Sequence, residues 1–184
     1  MEFEDISLKI RNSPFNRIRY RVTIQLKRAI NSIMNYTHMD GSDIDMERIF
    51  EAIPKFQRDN DKWTTKMQQG FIENIIMGFK TDILLFEVGD KGYIDCMILD
   101  GLQRITAIYK FLNNDLLVFG KTLDELMDGG ILRGFNDGYI NLNIFTFDTE
   151  AEAVQYYIDI NENITHSNDD IIRAKNYLYE ITHE

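Results

Sequence analysis

The five residues Asp100–Arg104 (D-G-L-Q-R) bring a carboxylate, a glycine, an amide and a guanidinium together between two patterned segments. An apolar run precedes them and a helical apolar pattern follows, which predicts a turn from a strand into a helix. Gly101 permits a tight turn and lets a ligand approach bare backbone. The first amides of such a helix, in residues 102–104, lack partners inside it and attract anions.

The side chains of this turn suit a phosphate-bearing ligand. Arg104 carries a planar fork that matches phosphate, and Gln103 can donate or accept a hydrogen bond beside it. Asp100 can orient Arg104, bind a metal that phosphates already hold, or act as a base. Asp100, Gln103 and Arg104 are therefore candidate catalytic residues. A structural interpretation stays open, in which Asp100 caps the helix and Arg104 pairs with a neighbouring acid.

Two strands and a helix are predicted before this turn. The runs 83–88 and 93–99 alternate or are continuously apolar, and a hairpin turn at residues 89–92 joins them. Further upstream, Thr65 and Gln68 have the spacing of a capping box at the start of a helix. The apolar face of that helix consists of Met67, Phe71, Ile72, Ile75 and Ile76.

The elements after the turn predict few strands and many helices. Thr122 and Glu125 offer a second capping box for a short helix, and residues 139–145 alternate as a strand. Residues 149–160 read as a helix, and a polar loop at 161–167 separates it from the last one. The apolar positions of the last helix are Ile171, Ile172, Ala174, Leu178 and Ile181. The pattern predicts an α+β fold.

The N-terminal part of the chain has a mixed pattern. Segment 18–37 alternates like a strand at its start and follows helical spacing afterwards, and we interpret most of it as helix. Residues 1–44 are then a basic helical extension and residues 45–184 the main domain. The amphipathic character of 18–37 would suit a dimer contact.

Charge is spread unevenly over the 184 residues. The net charge is −10, but residues 1–30 carry seven Lys or Arg and three acids, a net of +4, which leaves −14 for the remainder. The whole surface is therefore not a nucleic-acid-binding one, and at most weak contact by the basic arm is expected. The arm could equally dock on the acidic body. The residues assigned to weak nucleic-acid contact are Arg17, Arg19, Arg21, Lys27 and Arg28.

Cysteine and hydropathy patterns point to the cytoplasm. The single cysteine, Cys96, forbids an internal disulfide, fits a reducing compartment and is expected to be a buried inert thiol. No apolar run approaches the ~20 residues of a membrane span, and the acidic start lacks the form of a signal peptide. The three histidines have no metal-ligand spacing, so no protein-held metal site is expected.

Three segments, in order, resemble a known family. They are I-P-K-F-Q-R at 53–58, which we interpret as extended before Pro54, I-L-D-G-L-Q-R-I-T-A-I at 98–108, and I-D-I-N-E-N at 158–163. Together they resemble the ParB/sulfiredoxin-like superfamily, and more closely the N-terminal domain of GmrSD- and SspE-type antiphage restriction proteins. That family typically carries D-G-Q-Q-R, so this chain departs from it at Leu102. The resemblance covers roughly residues 45–180.

The resemblance implies a ParB-like small mixed sheet and a pocket for a nucleoside triphosphate, which several members hydrolyse. A Mg²⁺ ion would accompany the nucleotide. GmrSD-type proteins usually carry a nuclease domain downstream, so a chain ending at residue 184 would be a standalone regulator in phage or bacterial defence. The residues that the resemblance places in the pocket are Gln57, Arg58, Gly101, Leu102, Gln103, Arg104 and, more weakly, Asn161.

Three functions remain open at this stage. The first is nucleotide binding, with weak hydrolysis, that switches conformation or partner affinity. The second is a nuclease that uses the same acidic turn. A single carboxylate, that of Asp100, is weak evidence for phosphodiester cleavage. The third is a non-enzymatic interaction protein that binds a host or phage factor. Trp63 could stack on a base, although a tryptophan that opens a helix more often anchors it to the core.

Overall fold

The computed structural model describes residues 3, 6, 18–37, 46–57, 63–89, 92, 95–132, 138–162 and 168–183. The elements in chain order are β1 (Ile18–Gln25), a 3₁₀ turn (Leu26–Arg28), α1 (Ala29–Thr37), α2 (Met46–Glu51), α3 (Thr65–Ile76), β2 (Asp82–Val88), β3 (Met97–Asp100), α4 (Leu102–Leu112), α5 (Leu123–Asp128), β4 (Tyr139–Phe147), α6 (Glu150–Glu162) and α7 (Asn168–His183).

The described strands form one mixed sheet in the order β1–β4–β2–β3. β4 pairs antiparallel with β1 and parallel with β2, and β2 pairs antiparallel with β3. Helices pack on both faces, which confirms the α+β class and the small mixed sheet. In the described ranges, no helix is long and apolar enough to cross a membrane.

Each face of the sheet carries its own hydrophobic core, because successive side chains of a strand point to opposite faces. On β4, Leu142 and Ile144 belong to one core, while Phe145 and Phe147 belong to the other. The first core also holds residues of α1 to α5, and the second is covered by α6 and α7. The layers are therefore helix, sheet and helix.

Our helical interpretation of 18–25 is wrong, because these residues form β1. Val22 lies opposite Leu142 in the register with β4, and such distant pairing decides between two local patterns that are both present. The helix starts only at Ala29, after the 3₁₀ turn. Its apolar side chains are buried in the protein's own core, so the argument for a dimer contact through them loses its basis. The division of the chain at residue 44 stays a prediction.

Several local predictions are confirmed and others shift. The capping box of Thr122 and Glu125 is present with both of its bonds. On α3, however, the cap is Thr64, whose side chain accepts the Met67 amide, and Gln68 is buried instead of capping. Met67 is 49% exposed, so the buried face of α3 does not begin at Met67 as predicted. It begins at the next residue, Gln68.

Further corrections concern segment ends. β3 begins at Met97, and Asp95 and Cys96, which were predicted to belong to it, are not in the strand. Residues 90, 91, 93 and 94 of the predicted turn and strand lie outside the described residues. Residues 54–57 are not extended: the Gln57 amide donates to the Pro54 carbonyl at 2.9 Å and closes a turn. Asn161 lies in the last turn of α6 instead of a loop. On α7, Ile172 is exposed, unlike the buried Ala174.

Candidate functional site

The turn between β3 and α4 is built on Gly101. This residue has φ 112° and ψ 10°, a conformation that side chains disfavour, and it occupies the N-cap position without any side-chain cap bond. A Cβ at this position would lie 3.2 Å from Cγ1 of Ile83. The first helical bond runs from the Ile105 amide to the Gly101 carbonyl at 2.9 Å. The amides of residues 102–104 therefore have no acceptor inside the helix.

Arg104 is held at the rim of this turn. Its Nη1 donates to the Asp82 carbonyl at 2.7 Å and to Oδ2 of Asp100 at 3.1 Å. Both bonds use Nη1, which leaves Nε and Nη2 of the fork for a ligand. The side chains of Arg104 and Asp100 are 30% and 28% exposed. Asp100 therefore pairs with Arg104, which is one of the three roles predicted for Asp100 and also the acid pairing of the structural interpretation. The capping part of that interpretation is wrong, because Gly101 is the N-cap residue.

A bulge in β3 determines where Asp100 lies. Leu84 pairs with Asp100 and Leu85 with Ile98, so Leu99 is the extra residue on β3. The side-chain amide of Gln57 donates Nε2–H to the Leu99 carbonyl at 2.9 Å and to that of Ile98 at 3.3 Å. Gln57 therefore satisfies the bulge from the 54–57 turn, a contact that local pattern could not show.

Gln103 connects α4 to the start of α3. Its Oε1 accepts the Trp63 amide at 3.2 Å, and the Trp63 ring packs edge-on against Phe71 with centroids 5.3 Å apart. Trp63 thus packs on α3, in agreement with the interpretation in which it anchors the helix to the core. Because Oε1 of Gln103 is engaged, its Nε2 is the atom that remains for another partner.

These residues surround a cavity of about 30 Å³, enough for one or two water-sized groups. Every predicted pocket residue that the structure describes lines it, whereas Arg58 lies outside the described residues. Trp63 and Tyr157 line it as well. Asn161 is buried and donates Nδ2–H to the Tyr157 carbonyl at 2.7 Å. The full lining is Gln57, Trp63, Asp100, Gly101, Leu102, Gln103, Arg104, Tyr157 and Asn161.

Two buried polar atoms of the lining have no hydrogen-bond partner among the described residues. They are the acceptor Oε1 of Gln57 and the donor Nε2 of Gln103, and the two residues are only 5% and 3% exposed. Such atoms are rare in folded proteins because each costs free energy unless something pairs with it. Leu102 beside them is also buried and belongs to the first core, so its side chain packs as well as lining the cavity.

Burial and a nearby charge raise the pKa of a tyrosine beside the site. Burial, and to a smaller extent the charge of Asp100, raise the pKa of Tyr156 to about 12, so its hydroxyl stays protonated at neutral pH. Cys96 is buried, and its burial together with Glu87 and Asp95 raises the pKa of its thiol to about 12. The prediction of a buried thiol is confirmed, and the thiolate needed for nucleophilic chemistry is scarce.

A family model described as GmrSD restriction endonuclease, N-terminal domain, matches residues 25–183. The chain belongs to this family. The predicted relationship to GmrSD-type restriction proteins is confirmed, and it relates the chain to restriction and defence. No curated protein and no solved structure matches the chain.

In this GmrSD-type domain, the basic side chains of the N-terminal part that the structure describes are not in the cavity lining. Nε of Arg21 donates to Oδ1 of Asn143 at 2.6 Å across the β1–β4 pair, so this side chain docks on its own sheet. Lys27 and Arg28 are exposed on the 3₁₀ turn. Arg17 and the side chain of Arg19 lie outside the described residues.

One cation near the GmrSD-type site was missed by sequence reasoning. Arg173 of α7 donates Nη1–H to the Gln57 carbonyl at 3.3 Å and so ties the last helix to the 54–57 turn. Nothing in the local pattern marks it, because its partner is a backbone atom more than a hundred residues away. Within the described ranges, no group of three His, Cys, Asp or Glu side chains could hold a metal ion.

Proposed function

We propose that this chain binds a nucleoside triphosphate at the N-terminus of α4 and acts as a nucleotide-responsive regulator in restriction or defence. The observation that carries the proposal is the combination of an α4 start without a side-chain cap and two buried side chains with unpaired polar atoms beside it. Free amides at a helix start attract phosphate, and unpaired buried groups favour a ligand that completes them.

The polar groups divide the site into an outer and an inner end. At the outer end, the half-exposed Arg104 can turn Nε and Nη2 towards phosphate oxygens while Nη1 stays on Asp82. Phosphate charge would also compete with Asp100 for Arg104. At the inner end, Gln57 and Gln103 are buried and uncharged. The triphosphate therefore lies at the outer end, where both the cation and the solvent are.

A nucleotide is much larger than a cavity of about 30 Å³. One polar group can enter, and the rest of the ligand must lie across the mouth. The part of the ligand outside the cavity would then contact the partly exposed Asp100 and Arg104.

Asp100 is the carboxylate of the lining, and one carboxylate holds Mg²⁺ only together with substrate phosphates. We propose that Mg²⁺ enters with the nucleotide and contacts Asp100. Weak hydrolysis would then follow the ordinary course, in which water attacks the γ-phosphorus and the bond to the bridging oxygen breaks. Asp100 would accept the proton of the attacking water, whereas Gln103 is buried at the inner end and would contact the ligand there.

Thermal shift and calorimetry with the four ribonucleoside triphosphates, with and without Mg²⁺, test the proposal. A ligand that binds only the native state stabilises it, by about 2.7 kcal/mol at a hundredfold excess over Kd. The melting temperature therefore rises. We expect at least one nucleotide to bind and inorganic phosphate to bind far more weakly. A chain that is folded but shows no shift and no heat with any of the four contradicts the proposal.

A second candidate function is the binding of a protein partner. A groove of about 470 Å³ lies between α6 and α7, and the exposed ring of Tyr179 stands at its edge. Light scattering at increasing concentration tests whether this face pairs two copies: Tyr179→Ala should then lower the measured mass. An unchanged monomer mass in both proteins rejects self-association through this groove.

Contact with nucleic acid remains a weak third activity. We propose that Lys27 and Arg28, together with Arg17 and Arg19, bind phosphates without sequence preference. A few contacts give a shallow salt dependence, since each contributes about −0.9 to the slope of log K against log salt. Tight binding at ~200 mM salt would contradict this and favour the nuclease interpretation.

A further inference from the structure

The two unpaired atoms at the inner end have fixed chemical identities. Gln57 must present Nε2 to the β3 carbonyls, at 2.9 and 3.3 Å, so the atom without a partner is its acceptor Oε1. Gln103 must present Oε1 to the Trp63 amide, so its unpaired atom is the donor Nε2. Reversing either amide would place two donors or two acceptors face to face. The inner end therefore offers one acceptor and one donor.

This pair does not suit a bare phosphate oxygen. An anionic oxygen accepts from Nε2 of Gln103 but gains nothing from Oε1 of Gln57, which is itself an acceptor. An ammonium group has the opposite defect, because it cannot accept. A hydroxyl satisfies both atoms at once, since it donates one hydrogen bond and accepts another.

The size of the cavity narrows the choice further. About 30 Å³ admits a hydroxyl but not a purine or pyrimidine ring. Leu102 and Tyr157 give the lining apolar parts, against which a second charge would be costly. The helix start and Arg104 lie in the same lining, so the hydroxyl belongs to a molecule that also carries phosphate.

We propose that the inner end recognises a ribose hydroxyl, and that the site consequently selects ribonucleotides over deoxyribonucleotides. The hydroxyl donates to Oε1 of Gln57 and accepts from Nε2 of Gln103, while the phosphates stay at Arg104. A deoxynucleotide leaves both buried atoms without a partner from the ligand, and sites built around a ligand hydroxyl discriminate strongly against its loss. The inference rests on the proposed function and specifies its substrate class.

Calorimetric titration with a ribonucleoside triphosphate that binds, its 2′-deoxy and 3′-deoxy analogues, and inorganic triphosphate tests the inference. We expect at least one deoxy analogue to bind about tenfold more weakly or worse. Equal affinity for all three nucleotides overturns the inference but leaves nucleotide binding standing. If none of the four ribonucleoside triphosphates binds, the proposed function is overturned together with the inference.

Gln103→Met keeps the length of the side chain and removes both polar atoms, and Gln155→Met on the exposed side of α6 is its matched control. Gln57 is left intact because its amide also supports the β3 bulge. Thermal melts first establish that both variants are folded. We expect Gln103→Met to lower the ribose-to-deoxyribose affinity ratio, because one of the two hydrogen bonds to the hydroxyl is lost, and Gln155→Met to preserve it. A ratio that is unchanged in Gln103→Met contradicts the inference.

Discussion

Two helices of this chain begin in opposite ways. α5 starts with a complete capping box, in which the Thr122 hydroxyl accepts the Glu125 amide and the Glu125 carboxylate accepts the Thr122 amide at 2.9 Å. α4 starts with Gly101, which offers no side chain, and Asp100 just before it turns to Arg104 instead. The first helix start pairs donors with its own side chains, and the second has no side-chain cap bond.

The difference lies in the environment as well as in the cap. The α5 start is largely exposed, so water could have paired with its amides at little cost, yet it carries a cap. The α4 start adjoins buried side chains with unpaired atoms, where a missing cap is costly. A missing cap therefore points to a ligand site only where the helix start is buried, because only there does the missing cap cost stability.

The largest effect is expected from placing a side chain at the α4 start. Gly101→Val forces a β-branched residue to φ 112° and brings its Cβ to 3.2 Å from Ile83. Backbone strain and overpacking each cost roughly 1–3 kcal/mol, so the melting temperature should fall by about 10 °C. Differential scanning calorimetry measures it.

Gly130→Val is the matched control for this substitution. Gly130 also has a positive φ, 69°, but a Cβ there would meet no atom within 4 Å. It should lose stability through backbone strain alone, and so about half as much. Equal losses in the two variants would show that crowding against Ile83 does not constrain the turn.

The second largest effect concerns the cation at the α4 start. Arg104→Ala removes the phosphate fork, and a charged hydrogen bond contributes roughly 1.5–3 kcal/mol, so the affinity for nucleoside triphosphate should fall about tenfold or more. Arg104→Lys keeps the charge without the fork and should bind with intermediate affinity. A folded Arg104→Ala protein that binds as tightly as the parent would refute the assignment of phosphate to this end.

Thr122→Ala probes the capped helix start. Loss of an N-cap hydroxyl typically costs about 1 kcal/mol of stability, and nucleotide affinity should not change because α5 does not line the cavity. Urea unfolding and calorimetry on the same preparation measure both quantities. If Thr122→Ala weakened binding as much as Arg104→Ala, the two helix starts would not be functionally distinct.

Local chemistry in the sequence was enough to predict both helix starts. The Thr122 and Glu125 spacing, the need for glycine at 101 and the pairing of Asp100 with Arg104 depend on neighbours within five residues. The contacts that complete the site do not. The Gln57 amide reaches β3, and the Gln103 carbonyl reaches Trp63, in both cases across about 40 residues. Only the folded backbone shows which of their atoms remain unpaired.

Long-range pairing also explains the main error in the fold. Segment 18–25 carries both strand and helix patterns, and its antiparallel partner β4 selects the strand. The site shows a related effect at Leu102, which the D-G-Q-Q-R comparison treats as a motif position. The structure buries it in the first core, so Leu102→Gln is not the neutral exchange that the motif suggests.

The smallest effect is a pH dependence confined to the capped helix start. The bond from the Thr122 amide, followed by that from Lys121, lowers the pKa of Glu125 in the folded protein. A lowered pKa adds stability that is present above the unfolded pKa and is lost as the pH falls through the folded one. The stability difference between the parent and Glu125→Gln should therefore be largest near neutral pH and shrink steadily in acid.

Asp128→Asn, at the other end of α5, serves as the control in the same urea titrations. A difference that stays constant from neutral to acid pH would mean that the charge of Glu125 adds nothing to the cap. The cap would then depend on the Thr122 hydroxyl alone, and the contrast with α4 would reduce to one missing side chain.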